Sequence, residues 1–203
     1  MSSLRPIDVS GRQLLSAALL LMSSLPALGQ EQVFDVNAAQ SKVAFTLGDI
    51  LHTVHGTFQL KPGVIQFDQQ TGTASGELVV DANSGDSGNG ARDSKMKKEI
   101  LQTLKYPEIT FIAQTFHGKL MPQGTSHVQV GGIFTLHGDH HPMTLDLQVT
   151  STPASTSVDT SFVVPYVKWG LKNPSTLFLR VSDHVEIAVH AVGRLASALN
   201  NVK

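Results

Sequence analysis

The chain of 203 residues contains no cysteine. Disulfide bonds, thiol catalysis and cysteine-ligated zinc sites are therefore excluded. Charge is also scarce, because 15% of the residues are charged and the formal net charge is -1. A general nucleic-acid binder needs a basic surface that neutralises phosphates. We therefore expect no nucleic-acid partner, although a local anion site stays open.

Sequence motifs for catalysis are absent as well. No serine stands in a Gly-x-Ser-x-Gly elbow, so this motif supplies no nucleophilic serine for hydrolase chemistry. The glycine-rich residues 85–90 lack the Gly-Lys-Ser/Thr ending of a phosphate-binding loop. Neither motif therefore supports an enzyme, and we predict no cofactor.

One long apolar run occurs, at residues 14–25, and it lies at the N-terminus. Arg5 and Arg12 precede it, and the small residues Ala27 and Gly29 follow it. The run is shorter than the ~20 residues of a membrane-spanning helix. This pattern predicts a cleaved secretory signal over residues 1–29, with an uncleaved membrane anchor as the alternative. Residues 30–203 are then expected to form one exported domain.

The mature part of the chain has the period-two pattern of β-strands. Val43, Phe45 and Leu47 alternate with more polar residues, and similar short runs recur about every ten residues between turn residues. Residues 131–132, two glycines, indicate a bend or bulge, and the short link 138–142 indicates a hairpin. We predict an all-β fold, a single antiparallel barrel of about eight strands. Such a barrel holds its own side chains or one small ligand.

One main helix is predicted within residues 88–111. Met96, Ile100 and Leu104 are spaced four apart, so they share a helix face that we expect to pack on the barrel. Tyr106 precedes a proline, which disfavours helical backbone, so the helix is expected to end by about Lys105.

Basic side chains crowd the first turns of this helix, at Arg92, Lys95, Lys97 and Lys98. Exposed N–H groups at a helix start, joined by Arg and Lys, suit an anion. Arg92 and Lys95 are therefore candidates for binding a charged headgroup. The alternative is a solvated basic face with an ion pair from Asp93 or Glu99.

Nine histidines are present, and the densest group is His137, His140 and His141. Three imidazoles and a water can bind zinc and support hydrolysis. Adjacent side chains in a tight turn diverge, however, and the group matches no specific metal motif. We predict no metal site and keep a metal-dependent enzyme as an alternative function.

Four segments resemble the YceI-like family of lipocalin-like polyisoprenoid-binding periplasmic proteins. The first comprises residues 34–37 and 41–45, FDVN and SKVAF. The others are 88–93 with 106–111, then 132–138 with 142–145, and finally Trp169-Gly170. Together these segments cover about residues 32–195. The turn at His140-His141 and Lys168 before Trp169 depart from the pattern.

The resemblance implies an exported barrel with an apolar tunnel that binds a long isoprenoid or another amphiphilic lipid, without catalytic residues. On this hypothesis the cavity candidates are Phe45, Phe58, Phe111, Phe134, Phe162 and Trp169. A stress-response barrel filled by its own side chains is a further alternative. Whether two barrels associate as a homodimer is left open by the sequence.

Overall fold

The computed structural model describes residues 31–48, 53–176 and 180–197. The predicted signal segment, residues 1–29, lies outside this part of the chain. No helix within the described residues is long and apolar enough to cross a membrane.

In the described part of the chain, ten antiparallel strands make up one sheet. They are β1 (Gln32–Val36), β2 (Lys42–Gly48), β3 (Thr53–Leu60), β4 (Gly63–Asp68), β5 (Thr73–Asp86), β6 (Glu108–Gly118), β7 (Gly124–Leu136), β8 (Asp139–Ser151), β9 (Thr156–Val164) and β10 (Val185–Ser197).

The sheet closes into a barrel with eight strands at every level. β1 and β2 pair with successive halves of β10, and a short 3-10 turn, Ala38–Gln40, separates them. In the same way β3 and β4 pair with successive halves of β5. β5 also pairs with β6, which closes the ring. Two kinked strands therefore account for the count of ten, and the predicted eight-stranded barrel is confirmed.

The alternating pattern of the strands places apolar side chains inside the barrel. On β8, Leu145 and Val149 are buried, whereas Asp146 and Gln148 are exposed. Successive strand residues point to opposite faces, so the odd-numbered residues of β8 face inward. Burial of each such Leu or Val stabilises the fold by roughly 1.5–3 kcal/mol.

The hairpin between β7 and β8 is tighter than predicted. His137 and Gly138 form a two-residue turn, and both have positive φ, at 55° and 85°. This is the type I′ geometry that matches the twist of a hairpin. β8 therefore begins at Asp139, and His140 and His141 lie in the strand rather than in the turn.

The irregularity predicted at residues 131–132 is present, and the extra residue lies on the neighbouring strand. β6 shifts register between Ala113 and Thr115, opposite Gly132 and Gly131. Gln114 is the additional residue of this β-bulge.

The helix is shorter than predicted. It runs as α1, Gly90–Lys95, and continues through one π-helical segment, Met96–Ile100. Gln102 then adopts φ 49°, and the Thr103 N–H bonds to the Lys97 carbonyl at 2.9 Å, which ends the helix. Leu104 is consequently fully exposed, so its predicted packing on the barrel is wrong.

Candidate functional site

The barrel encloses an apolar cavity of about 630 Å³. Its volume lies in the range of pockets that bind small molecules, roughly 300–1,000 Å³. Each of the ten strands contributes aliphatic or aromatic side chains to the wall. Such a surface binds apolar groups and offers few hydrogen-bond partners to polar ones.

The two ends of the cavity differ in burial. At the end that carries α1, the lining residues Ala91 and Arg92 are exposed and Lys95 is partly buried. At the opposite end, the lining residues Phe116 and Leu120 are buried. Among the described residues, the exposed part of the lining therefore lies beside the helix and is called the mouth below, and the buried lining at the opposite end is called the floor.

Five of the six aromatic residues singled out from the sequence line this cavity. They are Phe45, Phe58, Phe111, Phe134 and Phe162. Phe45 and Phe58 lie 5.4 Å apart between ring centroids on paired strands, and Phe134 and Phe162 lie 5.9 Å apart.

Trp169 is not among the lining residues. Its ring stacks on His141 with centroids 3.8 Å apart and an interplanar angle of 7°. It also lies 5.9 Å from Phe134, which does line the cavity. Trp169 therefore supports the wall from behind through these two rings.

Three further aromatic residues near the floor were not singled out from the sequence. Phe34, Phe67 and Phe116 are buried and line the cavity. Each lies on a strand, and alternation places it on the apolar face of that strand. The apolar faces of separate strands form one cavity wall only when the strands pair. Alternation within a strand does not specify which strands pair.

A hydrogen-bond network shapes the mouth. Buried Asp93 accepts from the Ser87 N–H at 3.0 Å and from the Ser87 hydroxyl at 2.5 Å. Arg92 donates from Nε to the Ser87 hydroxyl at 2.7 Å and from Nη2 to the Ser87 carbonyl at 2.8 Å. The Asn89 side chain caps the helix by accepting from the Arg92 N–H. The glycine-rich loop is thereby joined to the first turn of α1.

The acidic neighbours do not pair with the two headgroup candidates. Glu99 binds Lys172 at 3.1 Å, and Asp93 is directed at Ser87. In the described part of the chain, Arg92 and Lys95 form no ion pair with a carboxylate. Both residues line the mouth of the cavity.

The three histidines of the hairpin do not converge. His137 packs on Tyr106 with centroids 4.3 Å apart, and His140 is exposed and bonds to Thr135 at 2.9 Å. His140 and His141 point to opposite faces of β8 because they are adjacent in a strand. Across residues 31–48, 53–176 and 180–197, no group of three His, Cys, Asp or Glu side chains is placed to hold a metal ion.

Tyr166 holds the segment after β9 against the segment before β10. It is buried, it lines the cavity, and its hydroxyl donates to the Ser182 carbonyl at 2.5 Å. Burial, followed by the nearby Asp183 carboxylate, raises the pKa of Tyr166 to about 12, because both disfavour the phenolate.

Tyr166→Phe is expected to lower the free energy of unfolding by about 1 kcal/mol at pH 7, since one buried hydrogen bond is lost. Above pH 10 the unfolded chain releases the tyrosine proton before the folded protein does. The wild type should therefore lose roughly 2 kcal/mol as the pH rises from 10.0 toward 12. Urea unfolding of both proteins from pH 8 to pH 11 tests this. A variant that keeps the wild-type alkaline slope would contradict the assignment to Tyr166.

An eight-stranded antiparallel barrel around an apolar cavity defines a lipocalin-like barrel, a class of binding proteins. The family model of the YceI-like domain matches residues 34–193. The chain belongs to the YceI-like family.

Individual relatives are more distant. A UPF0312 protein of Vibrio parahaemolyticus is 26% identical over 142 residues, which cover 68% of this chain and 73% of the relative. A UPF0312 protein of Vibrio vulnificus is 27% identical over 139 residues, covering 66% of this chain and 71% of the relative.

Solved structures share the fold. Burkholderia cenocepacia BcnA superposes with a TM-score of 0.64 at 20% identity, covering 79% of this chain and all (100%) of BcnA. A polyisoprenoid binding domain from Saccharophagus degradans, implicated in plant cell wall breakdown, superposes with a TM-score of 0.60 at 16% identity. That match covers 81% of this chain and 98% of the domain.

Proposed function

We propose that this protein is an exported binding protein that holds a long isoprenoid or a similar amphiphilic lipid. The observation that carries the proposal is a cavity with an apolar wall, a buried floor and a mouth that two cations line. The binding activity named for the Saccharophagus degradans domain supports the choice of ligand.

The driving force is burial of apolar area. Each Å² of hydrocarbon removed from water contributes about 25 cal/mol, against the cost of ordering the chain. On this proposal the lipid tail contacts Phe45, Phe58, Phe111, Phe134 and Phe162. Trp169 acts indirectly, since it supports Phe134 from behind.

The test is organic extraction of natively purified protein followed by mass spectrometry. A lipid bound in a stoichiometric amount is the expected result. An empty barrel that also fails to take up an added prenyl alcohol would overturn the proposal and favour the ligand-free stress-response barrel. Metal analysis of the same sample addresses the other alternative, because stoichiometric zinc would favour a metal-dependent enzyme.

We further propose that residues 1–29 direct export and that the barrel works in the periplasm. Fractionation of cells followed by N-terminal sequencing of the periplasmic protein tests this. A mature chain that begins near Gln30 is expected, and full-length protein retained in the cytoplasm would contradict it.

Arg92 and Lys95 are proposed to bind the headgroup at the mouth. Arg92→Ala is expected to weaken binding of a prenyl phosphate about tenfold or more, because a hydrogen bond to a charged group is worth roughly 1.5–3 kcal/mol. Affinity for the matching prenyl alcohol should change little. Isothermal titration with both ligands measures the difference.

Lys98→Ala is the matched control, since Lys98 is an exposed cation of the same helix that does not line the cavity. Arg92 also bonds to Ser87, so the alcohol reports any loosening of the mouth. Equal losses for the phosphate and the alcohol would argue against a headgroup role.

A further inference from the structure

We infer that the cavity is a blind pocket that encloses a tail of about four isoprene units, with the stacked rings of Phe67 and Phe116 setting the limit. The inference rests on the proposed function and adds to it a ligand length and the residues that determine it.

The floor is built from a close aromatic pair. Phe67 on β4 and Phe116 on β6 stack with centroids 4.5 Å apart and an interplanar angle of 16°. Their exposed fractions are 6% and 3%. Both line the cavity, and their strands lie on either side of β5, so the pair covers the end of that strand.

Hydrogen bonds from polar side chains hold the segment that follows β6, beyond this aromatic pair, in place. The Gln69 side chain donates to the Gln32 side chain and accepts from the Leu120 N–H at 2.9 Å. The Met121 N–H bonds to the hydroxyl of buried Ser126 at 2.9 Å. These bonds hold the backbone around buried Leu120, which also lines the cavity.

The length of the pocket follows from strand geometry. On β7, which pairs with β8 without a shift in register, the lining residues run from Leu136, near the mouth, to Val128, near the floor, which is eight residue steps. At ~3.3 Å per step and a tilt of ~40°, this distance is ~20 Å along the barrel axis. An extended chain advances ~1.2 Å per bond, so ~17 bonds, or about four isoprene units, fit between mouth and floor.

The volume agrees with a tail of this size. The cavity of about 630 Å³ lies within the roughly 300–1,000 Å³ of pockets that enclose small molecules. A longer chain must project from the mouth, where it buries no further area.

The experiment is a titration of delipidated protein with prenyl alcohols of two, three, four and nine isoprene units. Affinity is expected to rise more than tenfold per unit up to four, because each buried methylene contributes about fourfold. It should then stay level or fall for the nine-unit alcohol. Continued gain between four and nine units would overturn the inference.

Two substitutions should change the longest tail that the pocket encloses, in opposite directions. Phe67→Ala opens the floor, so the optimum shifts to a longer tail; Phe67→Leu serves as a milder variant if the alanine protein does not fold. Ala191→Leu adds bulk to a buried lining residue of β10, so the optimum shifts to a shorter tail. Ala188→Leu, on the outer face of the same strand, is the control and should leave the profile unchanged. An optimum that stays the same in all variants would assign the limit to other residues.

Failure of the two proposals can be told apart. If no prenyl alcohol of any length binds, the proposed function fails. If the alcohols bind without a break in the length series, the proposed function stands and only the blind pocket is overturned.

Discussion

Gly132→Ala is expected to destabilise the barrel by about 3 kcal/mol or more, or to prevent folding. A Cβ at this position would lie 2.2 Å from the Ile112 carbonyl oxygen and 2.8 Å from the ring of Phe111. The carbonyl belongs to the backbone of β6 beside the bulge at Gln114, so it cannot rotate away as a side chain does. Relief requires β6 and β7 to separate, which breaks their hydrogen bonds.

Urea unfolding followed by fluorescence measures this effect, and Gly48→Ala is the control. Gly48 is also a strand residue, but a Cβ there meets nothing within 4 Å. The control should stay within about 1 kcal/mol of wild type. Equal unfolding free energies of the two variants would show that β6 and β7 tolerate the added methyl group.

Asp93→Ala is expected to cost about 2–3 kcal/mol of unfolding free energy. The substitution leaves the Ser87 N–H and hydroxyl without their acceptor at a buried site. Ser87 and Arg92 both line the mouth, so the loss should also loosen the entrance to the cavity. Asp93→Asn keeps one acceptor oxygen and should lose less.

Glu99→Ala is the matched control on the same helix. Its ion pair with Lys172 joins two solvent-exposed side chains, with exposed fractions of 47% and 64%, so its removal should cost no more than about 1 kcal/mol. Thermal unfolding together with hydrogen exchange of residues 86–92 measures both effects. An Asp93→Ala protein as stable as Glu99→Ala would show that the network contributes little.

Local pattern was a reliable guide where the structure is itself local. The apolar face of β2, the hairpin between β7 and β8 and the basic start of the helix were all predicted from neighbouring residues. The pattern gave a wrong prediction where the same residue spacing allowed the helix either to continue or to end. Leu104 continues the four-residue spacing of Met96 and Ile100, but the left-handed backbone at Gln102 stops the helix first. Glutamine at that position carries none of the signal that a glycine would.

The aromatic residues of the site show the same difference between segments with a repeating pattern and segments without one. Phe45 and Phe58 were chosen as aromatic candidates on the lipid-binding hypothesis, and both line the cavity. Trp169 was chosen on the same hypothesis, yet it stacks on His141 outside the lining. Its segment follows β9 without a repeating pattern, so no periodicity indicated which way the ring would point.

The sequence by itself determined the all-β class, the family, the apolar faces of the strands and the position of the cations at the start of the helix. Only the tertiary structure decided that the exposed lining residues of the cavity lie beside the helix, and that the rings of Phe67 and Phe116 stack at its buried end. Alternation is a property of each strand alone, because it follows from the two-residue repeat of the backbone. Closure and register depend on pairing between strands far apart in the chain, such as β1 with β10, and no single segment carries that information.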